Sequence, residues 1–293
     1  MGIAPYVAET IIREHKKRPI TGTVLLLGRQ TMFFSPDAAI AMIRGLGVTP
    51  TETDAAKIEI DQQTLRSGEG PFILDEAFFR LLGVASVRAL DYSAYEGADI
   101  IHDLGDPIPK HLENFADFIL DGSTLDNMFN PAQGLMNIAQ LLKPGGRVIS
   151  VNMASAHYAP YSIFTPFWFL DYFAANDFAD YQVIQTVSYP NGHLQTIMAS
   201  RAAEIGDTLP TNLVSGVFVF AEKGETSTWN VRPEQRHYAS EKFKEIYRRA
   251  ASKPTNRLPL MVGFPEPPGA NAQALSLLRR AAARLGLRRP NRS

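Results

Sequence analysis

The fold of this chain is constrained most by short strand-like runs, each of which ends on glycine or aspartate. The run TVLLL over residues 23–27 is followed by Gly28, and a second run over 86–90 is followed by Asp91. A continuous apolar run such as TVLLL is typical of a parallel strand that is buried on both faces. Segments with helical spacing separate such runs, and this alternation predicts an α/β fold with a parallel sheet and helical crossovers.

Three further runs extend the pattern. A strand over 99–101 ends on His102 and Asp103, a strand over 115–120 ends on Asp121 and Gly122, and a strand over 147–151 follows the turn KPGG. Two later strand-like segments are candidates for an antiparallel pair at the sheet edge: 181–189 and 215–222. Helices are predicted over 6–17, 36–47, 75–82, 131–142, 165–175 and 272–285.

The residues that follow the strands have the chemistry of a nucleoside site. Ligands of doubly wound sheets bind at the carboxyl ends of the strands. A carboxylate after the second strand, Asp91, is suited to both ribose hydroxyls of an adenosine-containing ligand, and Asp103 is suited to the adenine amino group. Gly28 lets the backbone approach the ligand closely. Each aspartate is also explained by turn formation or helix capping, so only the combination indicates a site.

Two stretches carry a family resemblance: ALDYSAYEGADIIHDLGDPIP and FADFILDGSTLDNMFNPAQGLMNIAQLLKPGGRVISV. They resemble the core of class I S-adenosylmethionine-dependent methyltransferases. More narrowly, they resemble a bacterial subgroup found with surface-polysaccharide and sugar-modification genes. The resemblance implies a doubly wound, mostly parallel, Rossmann-like sheet of seven strands with an antiparallel final strand. It also implies S-adenosylmethionine as cofactor and a small-molecule acceptor, with a sugar or glycan precursor as the suggested class.

The resemblance also assigns residues to the cofactor. Asp91, followed by Tyr92 and Ser93, would hold the ribose, and Asp103 with Leu104 would hold the adenine. Asp121 and Gly122 would line the site near the methionine moiety, whereas the KPGG turn would be structural.

The loop after the first strand departs from the family. The sequence GRQTMFFS has one glycine, Gly28, where the family at large has two or three. Arg29 and Gln30 are the candidates to hold the methionine carboxylate or a ribose instead. The alternative is that this loop no longer binds cofactor. The long span from Gly28 to Asp91 further predicts an inserted helical segment over about 35–70, which either covers the site or decorates the fold.

Methyl transfer mainly requires that the acceptor be aligned and water excluded, and a base is needed only when the acceptor must lose a proton. His157 is the candidate base, because it lies in the loop after the fifth strand, with Tyr158 and Tyr161 beside it as candidate substrate contacts. The alternative is a surface histidine beside packing aromatics. His102 is interpreted as structural. Asp126–Asn127 stands where many relatives have an acidic residue followed by histidine, and the missing histidine argues against a base there.

Composition excludes several classes. The chain has 29 basic and 30 acidic side chains, so no overall field favours nucleic acid, and it has no cysteine for a thiolate metal site or nucleophile. The histidines lack zinc-site spacing, and no metal is predicted. We predict a cytoplasmic protein without a transmembrane segment. The alternatives are a non-catalytic binding or scaffold protein with this fold and, less favoured, a nicotinamide-dependent oxidoreductase, which needs the glycine loop even more.

The predicted domain organisation has two parts. Residues 1–225 form the methyltransferase-like domain, and 226–293 form a C-terminal extension with helices and a basic tail. The extension's helix, ALSLLRRAAARLGLRRPNRS, is basic and amphipathic. A solvated helix packed on the domain is the favoured interpretation, and docking to a membrane surface is the alternative. The sequence predicts no particular oligomeric state.

Overall fold

The computed structural model describes residues 2–158, 160–188, 194–199 and 214–255. Within these residues the helices are α1 (Pro5–Lys17), α2 (Pro36–Gly45), α3 (Asp75–Leu81), α4 (Pro131–Leu141), α5 (Pro166–Ala175) and α6 (Glu241–Ser252). The strands are β1 (Gly2–Ile3), β2 (Thr23–Leu27), β3 (Thr31–Met32), β4 (Ser86–Asp91), β5 (Ile100–Ile101), β6 (Ala116–Gly122), β7 (Leu142–Met153), β8 (Asp180–Ser188), β9 (Leu194–Ala199) and β10 (Val214–Glu222).

Eight of these strands form one mixed sheet in the order β5-β4-β2-β6-β7-β10-β8-β9. The five strands from β5 to β7 are parallel to their neighbours, and β10 is antiparallel to both β7 and β8. The predicted α/β class, the mostly parallel sheet and the antiparallel last strand are therefore confirmed. The sheet has one strand more than the predicted seven, because β9 pairs antiparallel with β8 at the edge.

Helices cover both faces of the sheet, so the fold is doubly wound. One core cluster packs α4, α5 and α6 against one face, and a second cluster packs α1, α2 and α3 against the other. The strand order reverses beside β2, which pairs with β4 on one side and with β6 on the other. Such a reversal opens a crevice at the carboxyl ends of the strands, and this crevice is the expected place for a ligand.

The N-terminal segment is tied to the sheet in two places. Strand β1 pairs in parallel with β3, with Gly2 opposite Thr31. At the far end of α1, buried Arg147 of β7 donates to Glu14 Oε1 at 2.9 Å and to the carbonyl of Pro19 at 2.9 Å. The segment is thus an integral part of the domain, and β1 lies directly against the loop that follows β2.

The predicted helical insertion over 35–70 is helical only in part. Helix α2 begins after Ser35, whose hydroxyl accepts a hydrogen bond from Ala38 N, and the proline at its first position fits a helix start. Beyond α2 the chain forms two short 3-10 turns and one antiparallel bridge between Ile60 and Ile73. Polar residues dominate that stretch, which explains why helical periodicity does not persist through it.

Helix α6 was not predicted from the sequence. The chain after residue 223 was expected to be polar, with no helix before residue 272. Phe243, Tyr247 and Ala250 of α6 are buried in the same cluster as α5. The predicted helix over 272–285 and the basic tail lie outside the described residues. In the part of the chain that the structure does describe, every helix is too short or too polar to cross a bilayer.

Candidate active site

The ends of three adjacent strands lie level with one another at the strand-order reversal. Leu27 of β2 is opposite both Leu90 of β4 and Asp121 of β6. The amide of Gly28 donates to the carbonyl of Leu90 at 2.7 Å, which fixes the first residue after β2 against the end of β4. Gly28, Asp91 and Asp121 are therefore brought together, as the sequence predicted.

The Asp91 carboxylate approaches Gly28 closely, in space that a side chain at residue 28 would crowd. Gly28 has a φ of +73°, and a Cβ there would lie 3.2 Å from Asp91 Oδ2, 3.8 Å from Thr124 Oγ1 and 3.9 Å from Gln30 Nε2. Asp91 is half-buried, and its Oδ1 accepts a hydrogen bond from Ser93 N at 3.3 Å. Among the described residues Oδ2 has no hydrogen-bond partner. A half-buried carboxylate oxygen without a bonding partner in the described structure thus lies against Gly28 at the strand ends.

The loop that replaces a glycine-rich sequence is held by buried polar contacts. Arg29 is 3% exposed and donates to both oxygens of Asp75, at 2.6 Å and 3.0 Å, and to Glu76 Oε1 at 3.0 Å. Asp75 Oδ2 also accepts from Gln30 N at 2.9 Å. The start of α3 therefore anchors this loop through one guanidinium. The structure places Arg29 inside the protein, with all three guanidinium nitrogens bonded to carboxylates.

Gln30 is fully buried, and its carboxamide is directed back toward β2. Its Nε2 donates to the carbonyls of Leu27 and Gly28, at 3.1 Å and 3.2 Å. Its Oε1 is buried without a hydrogen-bond partner in the described structure and contacts Gly122. The Gln30 amide hydrogens are therefore used internally, whereas one acceptor atom beside Gly122 is left unsatisfied.

We expect Gly122→Ala to lower the free energy of unfolding by about 1–3 kcal/mol, the usual cost of overpacking. The new Cβ would overlap the Gln30 carboxamide and lie 3.0 Å from Ile3 Cδ1, and the two hydrogen bonds of Nε2 oppose movement of that carboxamide. Urea denaturation measures the effect. Gly68→Ala is the control, because a Cβ at Gly68 meets nothing within 4 Å. Equal stabilities of the two variants would contradict the packing argument.

The residues predicted for adenine occupy the next position along the sheet edge. Asp103 follows β5 and is exposed, and its Oδ1 accepts from Gly105 N at 2.7 Å. Leu104 is buried in the core, and Tyr92 is 75% exposed. His102 Nε2 lies 3.3 Å from the carbonyl of Asp106, in keeping with its structural interpretation. Asp103 and Tyr92 thus border the same end of the sheet as Asp91, while the Leu104 side chain faces inward.

A buried polar network connects the ends of β6 and β7. Asp121 Oδ2 accepts from Ser150 Oγ at 2.6 Å and from Asn152 Nδ2 at 2.8 Å. Asn152 Oδ1 in turn accepts from the backbone amide of Asp126 at 3.1 Å. The Asp126 carboxylate accepts from Ser123 Oγ and from Met153 N, the latter at 2.7 Å. Asp126 therefore joins the turn after β6 to the end of β7. This role was not predicted from the sequence, because Asp126 was judged there only as a candidate base beside a histidine.

Burial raises the pKa of Asp126 to about 6, and the nearby Asp121 carboxylate acts in the same direction. Hydrogen bonds from Ser123 and Met153 favour the ionised form and limit the shift. Burial also raises the pKa of Asp121, against the hydrogen bonds from Ser150 and Asn152. Two carboxyl groups with raised pKa thus lie behind the loops at this end of the sheet.

Because the pKa of Asp126 is raised in the folded protein, this carboxyl group stabilises the fold at low pH. The stabilisation is lost as the pH rises through about 6. We therefore expect the wild-type protein to lose about 1 kcal/mol relative to Asp126→Asn between pH 5 and pH 7.5. Urea denaturation of both proteins at the two pH values measures this difference. Parallel pH dependences would show that Asp126 titrates normally.

The candidate base, His157, lies in the loop between Met153 and Phe164 and is exposed. Its Nδ1 is 3.2 Å from Ser155 Oγ, which accepts a hydrogen bond from Ser215 N at 3.0 Å. Tyr158 and Tyr161 are 87% and 77% exposed. The loop follows β7, and its Tyr161 end meets the turn after Asp121 and Gly122, because Ser162 N donates to the carbonyl of Asp126 at 2.9 Å.

The arrangement fits the adenosine half of S-adenosylmethionine better than its methionine half. The Asp91 carboxylate beside Gly28 provides a hydrogen-bond acceptor of the kind that a ribose needs. In the loop after β2, Arg29 and the amide hydrogens of Gln30 are engaged internally, so they are not free for a carboxylate. Among the described residues, no group of three or more acidic and histidine side chains is placed to hold a metal ion.

Sequence reasoning missed three residues of this region. Thr124 Oγ1 donates to the carbonyl of Leu27 at 2.6 Å and lies near Gly28. Asp75 and Glu76 bind Arg29 from a position more than forty residues along the chain. The only signal for Asp75 was its place at the start of a predicted helix, and nothing in the pattern indicated its partner.

No protein-family model matches the chain, and no curated protein matches it significantly. Solved structures similar to it include a protein from Rhodobacter sphaeroides described as a Zn-dependent alcohol dehydrogenase, with 16% identity over 51% of this chain and 46% of that one, and a TM-score of 0.29. The CMeT domain of the citrinin polyketide synthase shows 12% identity over 75% of this chain and 52% of that one, with a TM-score of 0.40.

A third similar structure is the 1,6-didemethyltoxoflavin-N1-methyltransferase of Burkholderia thailandensis with bound S-adenosylhomocysteine. It shows 15% identity over 75% of this chain and 78% of that one, with a TM-score of 0.29. The chain spans about half the length of the first two structures. Because all these scores are low, the fold assignment rests on the strand order and directions described above.

Proposed function

We propose that this protein is an S-adenosylmethionine-dependent methyltransferase that acts on a small molecule. The observation that supports the proposal best is the half-buried Asp91 carboxylate, which lies against Gly28 at the strand-order reversal. In this position Oδ2 is available to accept hydrogen bonds from ribose hydroxyls. The resemblance of residues 89–151 to class I methyltransferases supports the same assignment.

In the proposed site the residues divide into three roles. Asp91 accepts the ribose hydroxyls, with Tyr92 and Ser93 beside it, and Asp103 accepts the adenine amino group, with Leu104 packing below. The backbone at Gly28 and at Asp121–Gly122 lines the methionine end. Arg29 and Gln30 act here by fixing the loop after β2, because their donors are bonded within the protein.

The cofactor supplies a methyl group that its sulfonium already activates. The protein therefore mainly has to align the acceptor and exclude water. His157, exposed beside the predicted methyl end, is the proposed base for an acceptor that must lose a proton, and Tyr158 and Tyr161 are the proposed substrate contacts. The Asp126 network holds the backbone that carries them, since Ser162 N donates to the carbonyl of Asp126 at 2.9 Å.

A non-catalytic binding protein with this fold is the second candidate. It is favoured by the internal engagement of Arg29 and Gln30, which leaves no side-chain donor in this loop for a methionine carboxylate. A nicotinamide-dependent oxidoreductase is less favoured, because a pyrophosphate needs the glycine-rich helix start that this loop lacks. For the acceptor, the subgroup resemblance suggests a sugar or glycan precursor. A cytoplasmic location is part of the proposal.

Calorimetry of the purified protein with S-adenosylmethionine, S-adenosylhomocysteine and NADH tests the proposal. We expect both sulfur-containing ligands to bind and NADH to bind at least tenfold more weakly. Binding of NADH alone would favour the oxidoreductase. The absence of binding by either adenosyl ligand at millimolar concentration would exclude the methyltransferase and leave the non-catalytic alternative.

A further inference from the structure

Three exposed aromatic side chains lie in the two loops after β6 and β7, at the end of the sheet where the methyl acceptor is expected. This aromatic rim consists of Phe129, Tyr158 and Tyr161, which are 94%, 87% and 77% exposed. Phe129 and Tyr161 are in edge-to-face contact, with ring centroids 6.5 Å apart and an interplanar angle of 87°. Clustered exposed apolar surface of this kind is typical of ligand-binding or interaction sites.

The backbone that carries the rim is held in place. Met153 N donates to Asp126 Oδ2 at 2.7 Å, Ser162 N donates to the carbonyl of Asp126 at 2.9 Å, and Phe164 N donates to the carbonyl of Met153 at 2.9 Å. These bonds close the base of the His157 loop and join it to the turn before Phe129. The rings are therefore exposed on an anchored support.

Tyr158 extends the rim toward the N-terminal helix and the 35–70 segment. Its φ of +66° is rare for a bulky residue, and such backbone strain occurs mostly where it serves a site. Tyr158 is close enough to Tyr6 to contribute, after burial, to the raised pKa of that phenol. Arg66 of the 35–70 segment stacks its guanidinium over Phe33, 4.6 Å from the ring centroid. A planar guanidinium is thus stacked on an aromatic ring where the 35–70 segment meets the loop after β2.

The polar groups beside the rim are bonded to one another. Ser123 Oγ donates to the Asp126 carboxylate, Asn127 Nδ2 donates to the carbonyl of Ser123 at 2.8 Å, and Ser155 Oγ accepts from Ser215 N. A sugar needs several free hydrogen-bonding partners for its hydroxyls, whereas this surface presents ring faces, two phenols and one imidazole. The chemistry therefore suits a flat ligand that carries few polar groups.

We propose that the methyl acceptor is a planar aromatic molecule whose ring stacks on the aromatic rim, with its reacting group toward His157. This inference rests on the proposed function and narrows its acceptor class. It departs from the sugar that the sequence resemblance suggested.

Ligand-observed NMR with three probes tests the proposal: indole, 4-hydroxybenzoate and methyl glucoside, each added with and without saturating S-adenosylhomocysteine. We expect the two aromatic probes to bind and the glucoside to bind at least fivefold more weakly. Equal or tighter binding of the glucoside, or no binding of either aromatic probe at 10 mM, would overturn the proposal. Failure of S-adenosylhomocysteine to bind would instead count against the proposed function, and the samples without it still measure stacking on the rim.

Alanine substitutions in the aromatic rim test where the aromatic probes bind. Because aromatic stacking typically contributes about 1 kcal/mol, we expect Tyr161→Ala and Phe129→Ala each to weaken aromatic-probe binding about fivefold. Tyr238→Ala is the matched control, since Tyr238 is 89% exposed and lies outside the rim. The three side chains are exposed, so their removal leaves the fold intact. An equal effect of Tyr238→Ala, or no effect of the rim variants, would place the binding elsewhere.

Discussion

Arg29→Met is expected to lower the free energy of unfolding by about 3–5 kcal/mol, the range for breaking a buried ion pair. The guanidinium bonds to both oxygens of Asp75, which is 1% exposed, and methionine leaves that carboxylate buried without its cation. Burial already raises the pKa of Asp75 while Arg29 opposes the shift, so the substitution raises the pKa further. Urea denaturation at neutral pH measures the loss.

Two comparisons separate this explanation from loss of packing. Arg248→Met removes an exposed pair with Glu245 and is expected to cost less than about 1 kcal/mol. The loss of unfolding free energy in Arg29→Met should also become smaller as the pH falls, because protonation of Asp75 removes the uncompensated charge. Addition of Asp75→Asn to Arg29→Met should recover part of the stability for the same reason. A pH-independent deficit that Asp75→Asn does not relieve would contradict the electrostatic origin.

The second large effect concerns the cofactor. We expect Asp91→Ala to weaken binding of S-adenosylhomocysteine about 10–100-fold, because a hydrogen bond to a charged group contributes about 1.5–3 kcal/mol. Asp91→Asn keeps the shape and one acceptor oxygen, so an intermediate loss is expected. Calorimetry measures both affinities, and urea denaturation checks that the variants fold.

Asp37→Ala provides the control for Asp91→Ala. Asp37 is an exposed aspartate in the first turn of α2, outside the proposed site, and its loss should leave the affinity unchanged. Undiminished binding by Asp91→Ala would remove Asp91 from the site. A matched loss in both aspartate variants would point to a general electrostatic effect and not to contact with the ribose.

The strand ends were predictable because their signal is local. A run such as residues 23–27 carries its own pattern, and glycine or aspartate directly after each strand marks the turn. The parallel order of β2, β4 and β6 then brings Gly28, Asp91 and Asp121 to one edge without further information. Fold class and the first outline of the site followed from these features.

The contacts that fix the site were not predictable, because they join residues that are far apart in the chain. Whether Arg29 faces a ligand or the interior depends on Asp75, and no periodicity reports that pairing. Asp126 was discounted for want of a neighbouring histidine, yet its carboxylate accepts from Met153 N and its backbone carbonyl from Ser162 N, both far along the chain. Helix α6 was not predicted because few of its residues are apolar, and it buries only Phe243, Tyr247 and Ala250.

The position of β10 has a consequence for synthesis of the chain. β8 joins the sheet only through β10, which is made later and inserts between β7 and β8. Until residue 222 has left the ribosome, the long strand β7 therefore presents an unpaired edge, and such edges promote association between chains. A nascent chain interrupted after β7 and before Val214 would carry that edge permanently, so quality control of this protein is expected to act chiefly on fragments that end between β7 and β10.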